Sequence, residues 1–116
     1  MPRFAVLEHD GPRGLHWDFL LETGPALTTW ALDQPPDTSG VIEAESLAEH
    51  RMEYLDYEGP VSGDRGTVQQ WDAGTYEYVS QTESRLVVSL AGKRLCGEAT
   101  LTRLPGATRR WQFLYQ

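Results

Sequence analysis

Leu15-His16-Trp17-Asp18-Phe19-Leu20-Leu21-Glu22 alternates in the way an extended chain does. Successive side chains of a strand point to opposite faces, so Leu15, Trp17, Phe19 and Leu21 share one side and His16, Asp18, Leu20 and Glu22 the other. The first set predicts a core face. Just upstream, Phe4 to His9 reads as a neighbouring strand, with Asp10-Gly11-Pro12-Arg13-Gly14 as the breaker-rich loop between the two.

Further along, Ala26 to Leu32 reads as a third strand, ended by Gln34-Pro35-Pro36-Asp37-Thr38-Ser39-Gly40. Glu43 to Tyr57 carries Leu47, Met52 and Leu55 among helix formers, which predicts a short helix stopped by Gly59-Pro60. After Ser62-Gly63-Asp64-Arg65-Gly66, the spacing predicts a hairpin of Thr67–Trp71 and Thr75–Val79 across Asp72-Ala73-Gly74. Arg85–Ala91 and Leu95–Leu104 predict a second hairpin around Gly92-Lys93, and Arg110–Tyr115 a last strand with Trp111, Phe113 and Tyr115 on one side. The expectation is an all-β fold, a small closed or nearly closed β-barrel of about eight strands with one short helix, since closure removes exposed strand edges.

The 116 residues predict a single domain spanning residues 1–116, with no repeat or linker. A chain of this length buries roughly two thirds of its unfolded surface without help from disulfides. The lone cysteine, Cys96, excludes a disulfide framework and is expected to be a buried, inert thiol in a strand. No window has the roughly 18 apolar residues of a spanning helix, and Met1-Pro2-Arg3-Phe4 has no signal-peptide core behind it, so a cytoplasmic protein without membrane contact is expected. Seventeen acidic residues against ten basic ones give a net charge of −7, which argues against bulk electrostatic binding to nucleic acid. A cation and a few arginines are enough to reverse the field at one site.

Chemistry concentrates around the opening stretch. His16 and Asp18 share a strand face, and pairing through the Asp10–Gly14 loop brings His9 beside them. Two imidazoles and a carboxylate suit Mn²⁺, Fe²⁺ or Zn²⁺ with positions left open, although the same spacing fits a surface His–carboxylate pair. His50 and Tyr54, four apart, share a face if the segment is helical, as an acid–base group and a hydrogen-bond donor or as members of a solvated face.

These residues carry a family resemblance. Glu8-His9 and Leu15-His16-Trp17-Asp18-Phe19 with Leu21-Glu22 resemble the E-H…L-H-Y-D-F-R-L-E signature of the 3′-phosphoesterase domain of bacterial DNA ligase D. Trp30, the His50–Gly59 segment, Gly66-Thr67-Val68 and Trp71-Asp72-Ala73-Gly74-Thr75-Tyr76 resemble further motifs in the family's order. The resemblance implies a β-barrel hydrolase using Mn²⁺, with Zn²⁺ as the alternative, to process nucleic-acid 3′ ends in DNA repair, the ends being DNA or DNA with a terminal ribonucleotide. It implies His9, His16 and Asp18 as metal ligands and His50 and Tyr54 as catalytic residues over the scissile phosphate. Leu20 stands where the family carries an arginine, and Arg13, Arg51 and Arg65 are the candidates to take over its phosphate contact. Because Leu20 shares the His16/Asp18 face, an arginine restored there is expected to border the metal. The alternative function is a catalytically weak or inactive metal-binding module of the same fold that recruits or positions a repair partner. A phosphoesterase for a smaller ester is a third reading. Separate ligase or polymerase repair proteins are the expected partners, and a monomer the expected state.

Overall fold

The computed structural model describes all 116 residues, Met1–Gln116. Nine strands form one antiparallel sheet: β1 Arg3–Gly11, β2 Gly14–Glu22, β3 Leu27–Leu32, β4 Ile42–His50, β5 Gly59–Pro60, β6 Thr67–Gln81, β7 Arg85–Gly92, β8 Glu98–Arg103 and β9 Arg110–Tyr115. Their spatial order is β1-β2-β3-β4-β9-β8-β7-β6, and β6 returns to pair with β1, so eight strands make a nearly closed, barrel-like ring. The two-residue β5 lies along β6 at Val68 and Thr67. The all-β, nearly closed barrel read from the sequence is the fold observed.

Inside the ring, Phe4, Val6, Trp17, Phe19, Leu21, Trp30 and Phe113 belong to one apolar core. Here the strand alternation of the opening stretch holds from Trp17 to Leu21. Leu15 does not join them; it pairs with Asp10 at the rim, beyond the packed interior, and is 51% exposed. The outer face of β1 and β2 is covered too. Ala5, Leu7 and Leu20 form a second apolar cluster with Leu27, Leu55, Val61 and Val68, supplied by β3, by the turn after β4, by the loop before β6 and by β6 itself. Two-sided burial explains why Phe4-Ala5-Val6-Leu7 is an unbroken apolar run.

Three expectations are corrected. Glu43–Tyr57 is not a helix: β4 occupies Ile42–His50, and only Met52–Leu55 coils, as one turn of 3₁₀ helix. Ile42 and Ala44 point into the core between β3 and β9, whose free backbone groups this segment satisfies, so tertiary pairing overrides helix propensity. Asp72-Ala73-Gly74 is not a turn but the middle of β6. The buried Asp72 carboxylate accepts hydrogen bonds from the backbone N–H groups of Lys93, Arg94 and Leu95 at 2.9, 3.2 and 2.9 Å. Gly74 serves close approach, since a Cβ there would sit 2.0 Å from the Ala91 carbonyl oxygen. Cys96, expected in a strand and buried, is exposed in the loop that Asp72 anchors, because β8 begins only at Glu98; its thiol donates to the Gly92 carbonyl at 3.0 Å.

Candidate functional site

His9 on β1 pairs directly with His16 on β2, and the two rings lie 4.5 Å apart between centroids. Asp18, one alternation further along β2, is almost fully buried between them. Its Oδ2 lies 3.1 Å from His9 Nδ1 and its Oδ1 3.0 Å from His16 Nε2. The two contacts are not equivalent. His9 Nδ1 makes an aligned hydrogen bond, whereas Oδ1 has no aligned donor and is a buried acceptor left with a charge contact only. One ligand atom from each of His9, His16 and Asp18 lies within 4.8 Å of the others.

The carboxylate and the His9 ring shift each other. Burial opposes ionisation of Asp18, but its polar contacts with the His16 and His9 rings outweigh it and hold the carboxyl below its ordinary value. His9 is raised above 6.5, chiefly by its bond to Asp18, against burial and with help from the Arg65 carbonyl. That carbonyl accepts from His9 Nε2 at 2.7 Å.

A groove of about 340 Å³ opens beside the cluster, lined by His9 and Asp18 together with His50, Arg51, Tyr54 and Arg65. The β3–β4 register slips by one residue between Leu27↔His50 and Thr29↔Leu47, and this bulge delivers the end of β4 to the groove. His50 and Tyr54 meet across the strand end and the 3₁₀ turn with ring centroids 5.6 Å apart, so the expected pairing arises without the expected helix. His50 Nδ1 donates to the Ala48 carbonyl at 3.0 Å, which leaves Nε2 free. Arg65 is braced by Nε to the Ser62 carbonyl at 2.7 Å and by its terminal nitrogen to Ser62 Oγ at 3.1 Å. Arg51 is largely exposed and reaches Glu53 at 3.4 Å.

Arg13 does not join this set; it sits exposed in the turn between β1 and β2, away from the groove lining. His16 reaches the cluster but does not line the groove. Leu20 corrects a further expectation. It does not border the cluster's open side but is fully buried beneath the 3₁₀ turn, packed in the outer apolar cluster. The sequence reading missed the apolar floor of Leu7, Val61 and Val68 and the role of a backbone carbonyl at Arg65. Gly66 was the available signal, because its φ of +91° and tight approach to Asp10 mark where this loop is pressed against β1.

The model of the DNA ligase D 3′-phosphoesterase domain matches residues 7–103, a span that runs from the second half of β1 to the end of β8 and includes the residues lining the groove. The chain belongs to this family. As a 3′-phosphoesterase-domain protein it is 34% identical over 117 residues to the multifunctional non-homologous end joining protein LigD of Mycobacterium bovis, an alignment covering 93% of this chain and 15% of that protein. The Mycobacterium tuberculosis DNA repair protein LigD matches equally, and the Pseudomonas aeruginosa LigD is 30% identical over 121 residues, covering 94% of this chain and 14% of the relative. The chain thus spans about one seventh of the length of these relatives. No helix of this phosphoesterase-family chain is long and apolar enough to cross a membrane.

Proposed function

We propose that this protein is a divalent-cation-dependent 3′-phosphoesterase that processes nucleic-acid 3′ ends in repair. The observation carrying the proposal is the convergence of His9, His16 and Asp18, ligand atoms within 4.8 Å, beside a groove that His9 and Asp18 line together with His50, Tyr54, Arg51 and Arg65. The residues fit a cation chemically: Asp18 Oδ1 is a buried oxygen lacking an aligned donor and facing an imidazole nitrogen 3.0 Å away. His₂-carboxylate sets suit Mn²⁺ and also Zn²⁺. Bound there, such a cation polarises a phosphoryl oxygen and acidifies water.

The chain's own groups complete the reaction. Water attacks phosphorus as the bond from phosphorus to the 3′ oxygen breaks; His50 Nε2, the lone-pair nitrogen its backbone bond leaves free, takes the proton the water loses and hands it to the leaving 3′ oxygen. Tyr54 donates to a non-bridging oxygen. Arg65, held by Ser62, and Arg51 neutralise phosphate charge in place of the guanidinium that Leu20 does not supply. The substrates are DNA 3′-phosphate ends and ends with a terminal ribonucleotide. Separate ligase or polymerase repair proteins take up the product in this reading.

An oligonucleotide primer ending in a 3′-phosphate, incubated with Mn²⁺ or Zn²⁺, tests the reading. Turnover should vanish in Asp18→Ala and fall by about 10²–10⁴-fold in His50→Ala, which keeps its metal. The buried, apolar surroundings of Leu20 favour one second reading, a cation-binding module with little turnover that positions a repair partner. Tight cation binding with background hydrolysis of both DNA ends and a panel of nucleotide monophosphates selects that module.

A further inference from the structure

We propose that the Val61–Gly66 loop is a positioning element for His9, its Arg65 carbonyl selecting Nδ1 as the ring nitrogen given to a cation. A carbonyl oxygen only accepts hydrogen bonds. While His9 Nε2 lies 2.7 Å from the Arg65 oxygen, Nε2 must keep its proton, so a cation takes the place of the proton that Nδ1 gives to the Asp18 carboxylate, and Nδ1 is the ring nitrogen that offers its lone pair. Nδ1 is also the atom turned toward Asp18, 3.1 Å from Oδ2. The inference rests on the cation-site reading above and adds to it the atom used and the segment that dictates it.

The loop holds the carbonyl without reference to the cluster. Its ends are tied by Val61 N–H to the Gly66 carbonyl at 2.8 Å, its arginine is bonded back to Ser62, and Val61 is anchored in the outer apolar cluster. Two glycines frame the contact. A Cβ on Gly66 would lie 1.9 Å from the Asp10 carbonyl oxygen, so only glycine lets the loop press this closely on β1. A Cβ on Gly11 would lie 3.0 Å from the Arg65 oxygen and 3.3 Å from His9 Nε2, so the space around the hydrogen bond is already filled. Carbonyl partners of ligating histidines fix ring orientation, and their loss typically lowers metal affinity 10–100-fold.

The test is long-range ¹H–¹⁵N NMR of the histidine rings in the full chain, without metal and with diamagnetic Zn²⁺. A protonated His9 Nε2, with a cross-relaxation peak to Gly66, should be present in the metal-free protein and persist with Zn²⁺, while the Nδ1 resonance alone shifts on loading. Zn²⁺ bound through His9 Nε2 overturns the inference and leaves the cation reading standing. Zn²⁺ that perturbs none of His9, His16 and Asp18 defeats both. Calorimetry then tests the carbonyl contact: Gly11→Ala, whose Cβ crowds the Arg65 oxygen and His9 Nε2, should weaken Zn²⁺ binding roughly 10–100-fold and shift the Nε2 proton signal. A folded Gly11→Ala protein that loses the Nε2 contact yet binds Zn²⁺ as wild type does also overturns it.

Discussion

His9 and Asp18 stabilise each other in opposite halves of the pH scale. His9 is raised above 6.5 in the fold, so its contribution is complete below that value and is lost as pH climbs through the folded pKa. Asp18 is lowered from 3.8, so its contribution is present above that value and is lost as pH falls through the folded pKa. Both act between about pH 4 and 6.5. Urea unfolding in chelator should therefore show a wider stability gap between wild type and His9→Ala at pH 5.5 than at pH 9; a gap independent of pH excludes the coupling. Leu20 gives a second expectation at this scale. Its side chain is wholly buried among Ala5, Leu7, Leu55 and Val68, so Leu20→Arg should cost several kcal/mol in denaturant titrations and not restore a phosphate grip. An arginine variant as stable as wild type would show that the outer cluster opens readily. The His9, His16 and Asp18 cluster was legible because strand alternation and a short loop fix it locally. The burial of Leu20 was not, since Leu55, Val61 and Val68, which complete its cluster, arrive from more than thirty positions away.

At the scale of elements, local signals served where neighbours in sequence are neighbours in space. The last strand was read at its observed limits, Arg110–Tyr115, and the β1–β2 pair runs in the expected register, His9 against His16. Glu43–His50 went astray because its helix formers say nothing about the vacant backbone of β3 and β9, and Asp72-Ala73-Gly74 because turn-forming residues here serve a contact with a loop about twenty residues away. That contact yields a prediction. Removing the Asp72 carboxylate leaves three backbone donors without their acceptor, so Asp72→Ala should lower stability by on the order of 3 kcal/mol. Hydrogen exchange should localise the loss to Lys93–Cys96; a variant within about 0.5 kcal/mol of wild type would mean that water replaces the carboxylate without penalty.

For the whole molecule, a cation held by His9, His16 and Asp18 ties β1 to β2 and should raise the free energy of unfolding by mass action. A hundredfold excess of Mn²⁺ or Zn²⁺ over its dissociation constant gives about 2.7 kcal/mol, a rise in Tm on the order of 10 °C for a chain of this size. Asp18→Ala should remove the rise, and a wild-type transition unmoved by millimolar Mn²⁺ and Zn²⁺ eliminates the site. The ring itself is closed by β1 against β6, Arg3 opposite Thr75 and Asp10 opposite Thr67. That closure spaces the making of the protein in time. During synthesis the β1–β2 hairpin, with its two imidazoles and carboxylate, is complete long before Thr67–Thr75 leaves the ribosome, and until then one edge of β1 is bare. Distant pairings form late because the intervening chain must first be ordered. A nascent chain can thus hold the triad proposed to bind a cation while lacking the Arg65 carbonyl proposed to orient it, and metal captured at that stage would meet an imidazole still free to present either nitrogen.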